Sequence, residues 1–236
     1  MLNHHRDKGK ETSIYRHPAM PIRLTHRRYS AGNSFSVGSP RAEQVLTLLS
    51  GELQVSGPIS AVLARRSVFE DPPVAVYVGR GQRVTILGKK AGELVIVECA
   101  AQKNGTVQIV RASGAEERGK EGFRRTVYNL IGEQFPAERL LMGETFNQPG
   151  NWSSFPPHKH DRRSRDERRF QEVYFSRYNR KQASPSCVCM TTRALMRFLP
   201  FATTIWFGFP AGIIRFRPCL VTVSTTFGRW RERGES

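Results

Sequence analysis

The residues best suited to chemistry in this chain are His158 and His160, which are separated by one residue and follow the pair Pro156-Pro157. Proline fixes its own φ and restricts the residue before it, so this pair favours extended backbone over helix. In a strand, residues i and i+2 point to the same face, and two neighbouring imidazoles can supply half of a metal site. Glu172 begins the strand-like run Glu-Val-Tyr-Phe and could add a carboxylate from a neighbouring strand. The alternative is that His-x-His in a basic loop is only a solvated polar segment.

The elements that must position these residues are short strands. Between Ser34 and Cys99, strand-like apolar runs are predicted at 44–49, 53–55, 75–78, 84–87 and 94–97. Predicted turns separate them, among them Ser50-Gly51 and Gly88. A second series starts near Val127 and includes the runs 140–142 and 173–175. Short strands punctuated by glycine and proline are typical of a sandwich or barrel, so we predict an all-β fold.

The charge of the chain is strongly basic, since 37 Lys and Arg outnumber 20 Asp and Glu and give a formal net charge of +17. Such a balance ordinarily suggests nucleic acid or an anionic membrane as a partner. The basic residues are concentrated in three stretches, at 6–28, at 162–169 and in the C-terminal tail. No basic groove interleaved with aromatic residues and no helix-turn-helix pattern accompanies them. We therefore predict no specific nucleic-acid partner.

The four cysteines do not suggest a disulfide framework. Cys187 and Cys189 lack the two-residue spacer of common zinc knuckles, and no second pair matches them. The first ten residues are polar and basic, without the apolar core of a signal peptide. These features predict a cytoplasmic protein.

A family resemblance extends from the histidine pair in both directions. The segments 143–145, 150–161 and 172–174 closely resemble the 5-deoxy-glucuronate isomerase family of inositol catabolism. Weaker similarities lie upstream, at 48–52, 67–70, 75–78 and 125–129. The most specific part is the string Asn-Trp-Ser-Ser followed by Pro-Pro-His-Lys-His-Asp. The resemblance covers roughly residues 31–182 and stops after Gln182.

The resemblance implies a tandem cupin, a bicupin of two β-barrels. It divides the chain into a first cupin at 31–115 and the N-terminal part of a second, metal-binding cupin at 116–182. Residues 1–30 are then either flexible or a divergent version of the first strand. The first cupin carries no His-x-His, and its expected role is to pack against the second.

The implied activity is the isomerisation of 5-deoxy-D-glucuronate, an aldose, to the ketose 5-dehydro-2-deoxy-D-gluconate. The implied metal ligands are His158, His160 and Glu172. Zinc is the expected ion, and other first-row divalent ions are left open. Glu172 could instead be the general base, with Asp161 or Glu167 as the carboxylate ligand. The catalytic residues are therefore unassigned.

The tail at 183–236 departs from the family. It shows neither strand alternation nor an amphipathic helix, and prolines and glycines interrupt its uncharged run 198–214, which makes a membrane helix poor. One lost base near codon 182 would explain the tail. Read one base earlier, residues 211–216 are compatible with Gly-Tyr-His-Pro-Val, the family motif whose histidine is the fourth metal ligand. We predict that the tail is frameshifted, the second barrel incomplete and the isomerase impaired.

Two other functions are left open by the sequence. The first is a non-catalytic cupin that binds or senses a sugar acid. The second is a basic nucleic-acid-binding protein, which a steep salt dependence of binding would reveal. The predicted partner is a small sugar acid, with no membrane, and a homo-oligomer is left open.

Overall fold

The computed structural model describes residues 3–6, 12–16, 22–148, 151, 171–178, 186–190, 197–200, 203–208, 213–217 and 220–227. Its strands are β1 (Asn3–Arg6), β2 (Thr12–Arg16), β3 (Ile22–Tyr29), β4 (Ser34–Gly38), β5 (Ala42–Ser56), β6 (Ala61–Arg65), β7 (Val74–Val78), β8 (Arg83–Ala100), β9 (Val107–Arg111), β10 (Glu116–Arg118), β11 (Arg125–Ile131), β12 (Leu140–Asn147), β13 (Gln171–Tyr178), β14 (Ser186–Met190), β15 (Arg197–Pro200), β16 (Thr203–Gly208), β17 (Ile213–Arg217) and β18 (Leu220–Phe227). The prediction of an all-β fold is confirmed. Within these ranges the helical structure is one 3-10 turn at Glu121–Phe123, far too short to cross a membrane.

The first sheet contains β2 to β9. Its order is β2-β3-β8-β5-β7-β9, with β4 paired to β8 and β6 paired to β5, and the pairs are antiparallel. β5 and β8 are long, with 15 and 18 residues, and their register shifts at three points between Leu48 and Leu53. Such bulges bend a strand and increase its twist. The two halves of each long strand therefore have different neighbours: β5 pairs with β7 and then with β6, and β8 pairs with β4 and then with β3.

Two predicted turns are corrected by these long strands. Ser50-Gly51 lies inside β5 and Gly88 lies inside β8. Gly51 has φ +96°, and a Cβ there would lie 2.6 Å from the backbone oxygen of Ala91. Glycine in a strand interior often marks a bulge or a close approach of backbone. The turn prediction was wrong because a glycine that permits a bulge leaves the same signal as one that ends a strand.

Alternating residues of the first sheet belong to two clusters of buried side chains, which we call the inner core and the shared core. On β7, Val74, Val76 and Val78 belong to the inner core, whereas Ala75 and Tyr77 belong to the shared core. The buried members of the inner core all belong to β3–β9. The shared core also contains residues from the rest of the chain: Leu130, Ile131, Leu140, Met142, Val173 and Phe175. The first sheet, which we call the first unit, thus packs against β11–β13 through the shared core.

The second sheet contains seven strands in the order β1-β16-β13-β18-β12-β11-β10, and β15-β14-β17 form a separate three-stranded sheet. The change from the first sheet to the second falls between Arg111, where β9 ends, and Glu116, where β10 begins. The division of the chain into two cupins at 115/116 stays a prediction.

The tail contributes strands, contrary to the sequence prediction. β18 lies between β12 and β13 and pairs with both, and β16 pairs with the other edge of β13. β18 reads Leu-Val-Thr-Val-Ser-Thr-Thr-Phe, which is rich in the β-branched residues that favour strands. The expectation that the tail supplies no strand was therefore wrong, and neither side of β12 is left as an open edge.

The N-terminal residues also form strands. β3 pairs with β8, and its Ile22 and Leu24 are buried in the shared core. A flexible arm is thus wrong for residues 22–29, and the divergent first strand that we left as the alternative fits. The basic side chains of Arg23, Arg27 and Arg28 obscured the apolar alternation of this strand in the sequence.

Candidate functional site

The structure locates one of the three predicted metal ligands. Glu172 lies in β13, and its backbone pairs with Gly208 of β16 and Thr226 of β18. The other two ligands, His158 and His160, and the alternative carboxylates, Asp161 and Glu167, lie outside the described residues. Among the residues that the structure describes, no cluster of three or more His, Cys, Asp or Glu could hold a metal. The metal site stays a prediction.

The second sheet has one face buried against the first unit. Val173 and Phe175 of β13 and Met142 of β12 are members of the shared core, and the first two are 0% exposed. Their register agrees, because Met142 and Val173 both pair with Thr225 of the intervening β18. Successive residues of a strand belong to opposite faces. Position 172 therefore belongs to the face that points away from the first unit.

A buried ion pair joins the two sheets. Arg65 of β6 donates to Glu144 of β12 through Nη1–Oε1 at 2.8 Å and Nη2–Oε2 at 2.7 Å, and both side chains are 0% exposed. The remaining Arg65 donors reach the backbone oxygens of Leu48 and Asp71. Burial raises the pKa of the Glu144 carboxyl, and the Arg65 guanidinium acts in the opposite direction. Because a buried charge without its partner is costly, the pair fixes β12 against the first unit.

A second carboxylate of the first unit binds the start of β12. Glu43 of β5, 0% exposed, accepts hydrogen bonds from the backbone N–H groups of residues 138–140 at 2.7–2.9 Å. It also accepts a hydrogen bond from the Tyr77 hydroxyl at 2.8 Å. Burial and the nearby Glu43 raise the pKa of Tyr77, so the phenol keeps the proton that it donates. Glu43 thereby satisfies three consecutive amides that would otherwise be buried without partners.

Glu138 makes the reciprocal contact. It accepts hydrogen bonds from the backbone N–H groups of Gln102 and Lys103, both at 2.7 Å. Burial acts to raise the pKa of the Glu138 carboxyl, but these two bonds and the Arg139 side chain outweigh it and lower the pKa. A carboxylate with a lowered pKa stabilises the fold above its unfolded pKa of about 4.3 and loses that contribution as pH falls through the folded pKa.

These anchoring residues were not predicted as functional. Glu144 was part of a family segment without an assigned role, although it follows the apolar run Leu140-Leu141-Met142. A lone carboxylate close to such an apolar run can indicate a buried position, where the carboxylate needs a partner. The partner itself was beyond sequence reasoning because Arg65 lies 79 residues away.

The architecture defines a class: all-β, with two antiparallel units packed face to face, as in cupins. An IolB-like protein from Salmonella typhimurium LT2 is similar with a TM-score of 0.78 at 23% identity, over 89% of this chain and 85% of that one. Oxalate decarboxylase from Bacillus subtilis, whose Mn(II) centres have been studied, is similar with a TM-score of 0.61 at 10% identity, over 91% of this chain and 70% of that one. The fold is a cupin fold, as predicted.

The model of the KduI/IolB family matches residues 4–198, and this chain belongs to that family. A 5-deoxy-glucuronate isomerase from Halalkalibacterium halodurans is 31% identical over 65% of this chain and 60% of its own length. One from Geobacillus kaustophilus is 34% identical over 58% of this chain and 52% of its own length. The chain thus matches little more than half of these relatives. The family match begins before residue 31 and ends after Gln182, so it is longer than the resemblance predicted for residues 31–182.

The first prediction concerns the buried ion pair. Glu144→Leu would leave Arg65 buried without its carboxylate, and we expect the free energy of unfolding to fall by about 3–5 kcal/mol. The double variant Arg65→Met/Glu144→Leu removes both charges and should recover most of this loss. Urea unfolding followed by circular dichroism measures both. A single variant as stable as the parent would show that the pair does not hold the sheets together.

The second prediction concerns acid stability. Glu138→Gln should lower the free energy of unfolding at pH 7, and the difference from the parent should shrink as pH falls below about 4. Urea unfolding from pH 7 to pH 3 measures this difference. Glu121→Gln, at an exposed position, is the control and should follow the parent throughout. A Glu138→Gln deficit that is the same at pH 7 and pH 3 would contradict the lowered pKa.

Proposed function

We propose that this chain is a 5-deoxy-glucuronate isomerase by descent, an enzyme that converts 5-deoxy-D-glucuronate to 5-dehydro-2-deoxy-D-gluconate. The observation that carries the proposal is the family match, which spans residues 4–198 and therefore includes His158, His160 and Glu172. Relatives at about 30% identity bear this name, among them the two described above. The proposed partner is the sugar acid, and the proposed location is the cytoplasm.

The proposed metal ligands are His158, His160 and Glu172. Two imidazoles and one carboxylate form a donor set that suits first-row divalent ions, Zn²⁺ in particular. The Mn(II) centres of oxalate decarboxylase support a divalent ion on this fold. Position 172 belongs to the sheet face opposite the shared core, so Glu172 is not required for packing against the first unit. A bound divalent ion would supply positive charge that polarises the substrate aldehyde and holds the neighbouring hydroxyl.

The proposed reaction transfers hydrogen within one molecule. A proton leaves the carbon beside the aldehyde and one is added to the aldehyde carbon. The neighbouring hydroxyl loses its proton and becomes the ketone, while the aldehyde oxygen gains a proton and becomes the new hydroxyl. No external oxidant or reductant is needed. A carboxylate can accept and return the proton; Glu172 is the alternative for this role, in which case Asp161 or Glu167 would be the carboxylate ligand. The arginines at 162–169 are candidates to pair with the substrate carboxylate.

We also propose that residues 183–236 are translated out of frame. The tail contains no histidine to serve as a fourth ligand. The shifted frame of residues 211–216 contains one, in Gly-Tyr-His-Pro-Val. The strands described in the tail do not supply this ligand, so the chain as written is proposed to be an impaired isomerase.

A turnover assay tests the function. We expect a chain with one base restored near codon 182 to isomerise 5-deoxy-D-glucuronate, and the chain as written to do so poorly because its fourth ligand is missing. Resequencing across codons 175–190 then shows which frame is natural. If both chains bind the sugar acid without converting it, the sensor alternative is correct and the isomerase proposal fails.

Zinc titration tests the ligands separately. His158→Ala should weaken zinc binding by more than about a hundredfold, since losing even an outer partner of a metal ligand costs about 10–100-fold. Lys159→Ala is a matched control, because its side chain would lie on the other face of a strand through the histidine pair. Equal zinc affinities in the parent and His158→Ala would refute the proposed ligand set.

A further inference from the structure

The strand that carries Glu172 is tied to the first unit by three successive odd-numbered residues. Val173 and Phe175 are fully buried in the shared core. The Phe175 ring lies 5.2 Å from the ring of His26 in β3, with 37° between the ring planes. The guanidinium carbon of Arg177 lies 5.6 Å from the centre of the same Phe175 ring. One face of β13 is thus in continuous contact with the first unit.

Three basic side chains contact one carboxylate in this region, that of Glu93 in β8. Its Oε2 lies 3.0 Å from His26 Nε2 and its Oε1 lies 3.4 Å from Arg28 Nε. Its Oε2 also pairs with Arg177 of β13. Because an ionised carboxylate only accepts, His26 must carry a proton on Nε2. The His26 side chain is 0% exposed and the Glu93 side chain 23% exposed, so water screens this cluster less than an ordinary surface ion pair.

Burial of Val173 and Phe175 already places position 172 on the opposite face, since a one-residue slip of β13 would move both side chains out of the shared core. Burial is non-directional, however, and adds no polar contact. The Glu93–Arg177 pair is directional, and His26 and Arg28 also bind Glu93. The pair therefore adds a polar contact that holds β13 to the first unit at Arg177.

We propose that Glu93 is a positioning residue for the metal site: by holding Arg177, it fixes β13, the strand that carries position 172, against the first unit. The first unit then contributes to metal affinity without supplying a ligand. This inference rests on the proposed function, since it takes Glu172 as a ligand.

Zinc titration calorimetry of the full chain tests this role. Glu93→Gln keeps the shape of the side chain and removes its charge, and we expect zinc affinity to fall about tenfold, as for the loss of outer partners of metal ligands. Glu98→Gln is the matched control. Glu98 lies on the same strand, is 19% exposed and binds Arg23 and Gln44, both in the first sheet. Its zinc affinity should equal that of the parent.

Arg177→Met provides the second variant. It should weaken zinc binding as Glu93→Gln does, and the double variant should be no weaker than either single one, since both remove the same contact. Unfolding midpoints without zinc should differ little between Glu93→Gln and Glu98→Gln. If the unfolding midpoint of Glu93→Gln falls further than that of Glu98→Gln, and by enough to explain its weaker zinc binding, Glu93 only stabilises the fold and the inference is overturned.

Failure of the proposed function and failure of the positioning role give different results. If zinc affinity does not depend on His158, the proposed function fails and the positioning role fails with it. If zinc affinity depends on His158 but is the same in Glu93→Gln and the parent, only the positioning role is overturned.

Discussion

The need to pair charges buried between two sheets is the constraint on which the rest of this structure depends. Arg65 and Glu144 are both fully buried, and neither would be tolerated there without the other. Glu43 imposes a similar condition, because it accepts hydrogen bonds from the backbone amides of residues 138–140. Apolar packing in the shared core holds the sheets together, whereas these polar contacts decide which residues face each other. The second sheet can therefore offer a defined face to a ligand.

Each sheet uses its two faces for different purposes. The inner core fills one face of the first sheet with apolar side chains, among them Leu46, Val76 and Ile86. Its other face supports the second sheet through the shared core. The second sheet thus has one face in the shared core, and position 172 belongs to the opposite face.

The sequence predicted the features that depend on local pattern. The all-β class and the family followed from strand-like runs and from the string around His158. Features that depend on distant partners or on bent backbone were missed. Gly51 permits a bulge that sequence alone cannot distinguish from a turn. β3 carries arginines that hide its buried residues, and the β-branched residues of β18 were overlooked because the tail did not match the family. Arg65 and Glu144 are too far apart in the chain for any local signal to join them.

The central claim is that a divalent ion binds on the face of the second sheet opposite the first unit. Anomalous diffraction at the zinc edge, from crystals of the frame-restored chain grown with zinc, tests it most directly. The account predicts one strong peak within bonding distance of His158, His160 and Glu172, at about 2.0–2.2 Å from each donor atom. A peak inside the first unit, or none near these residues, would contradict it.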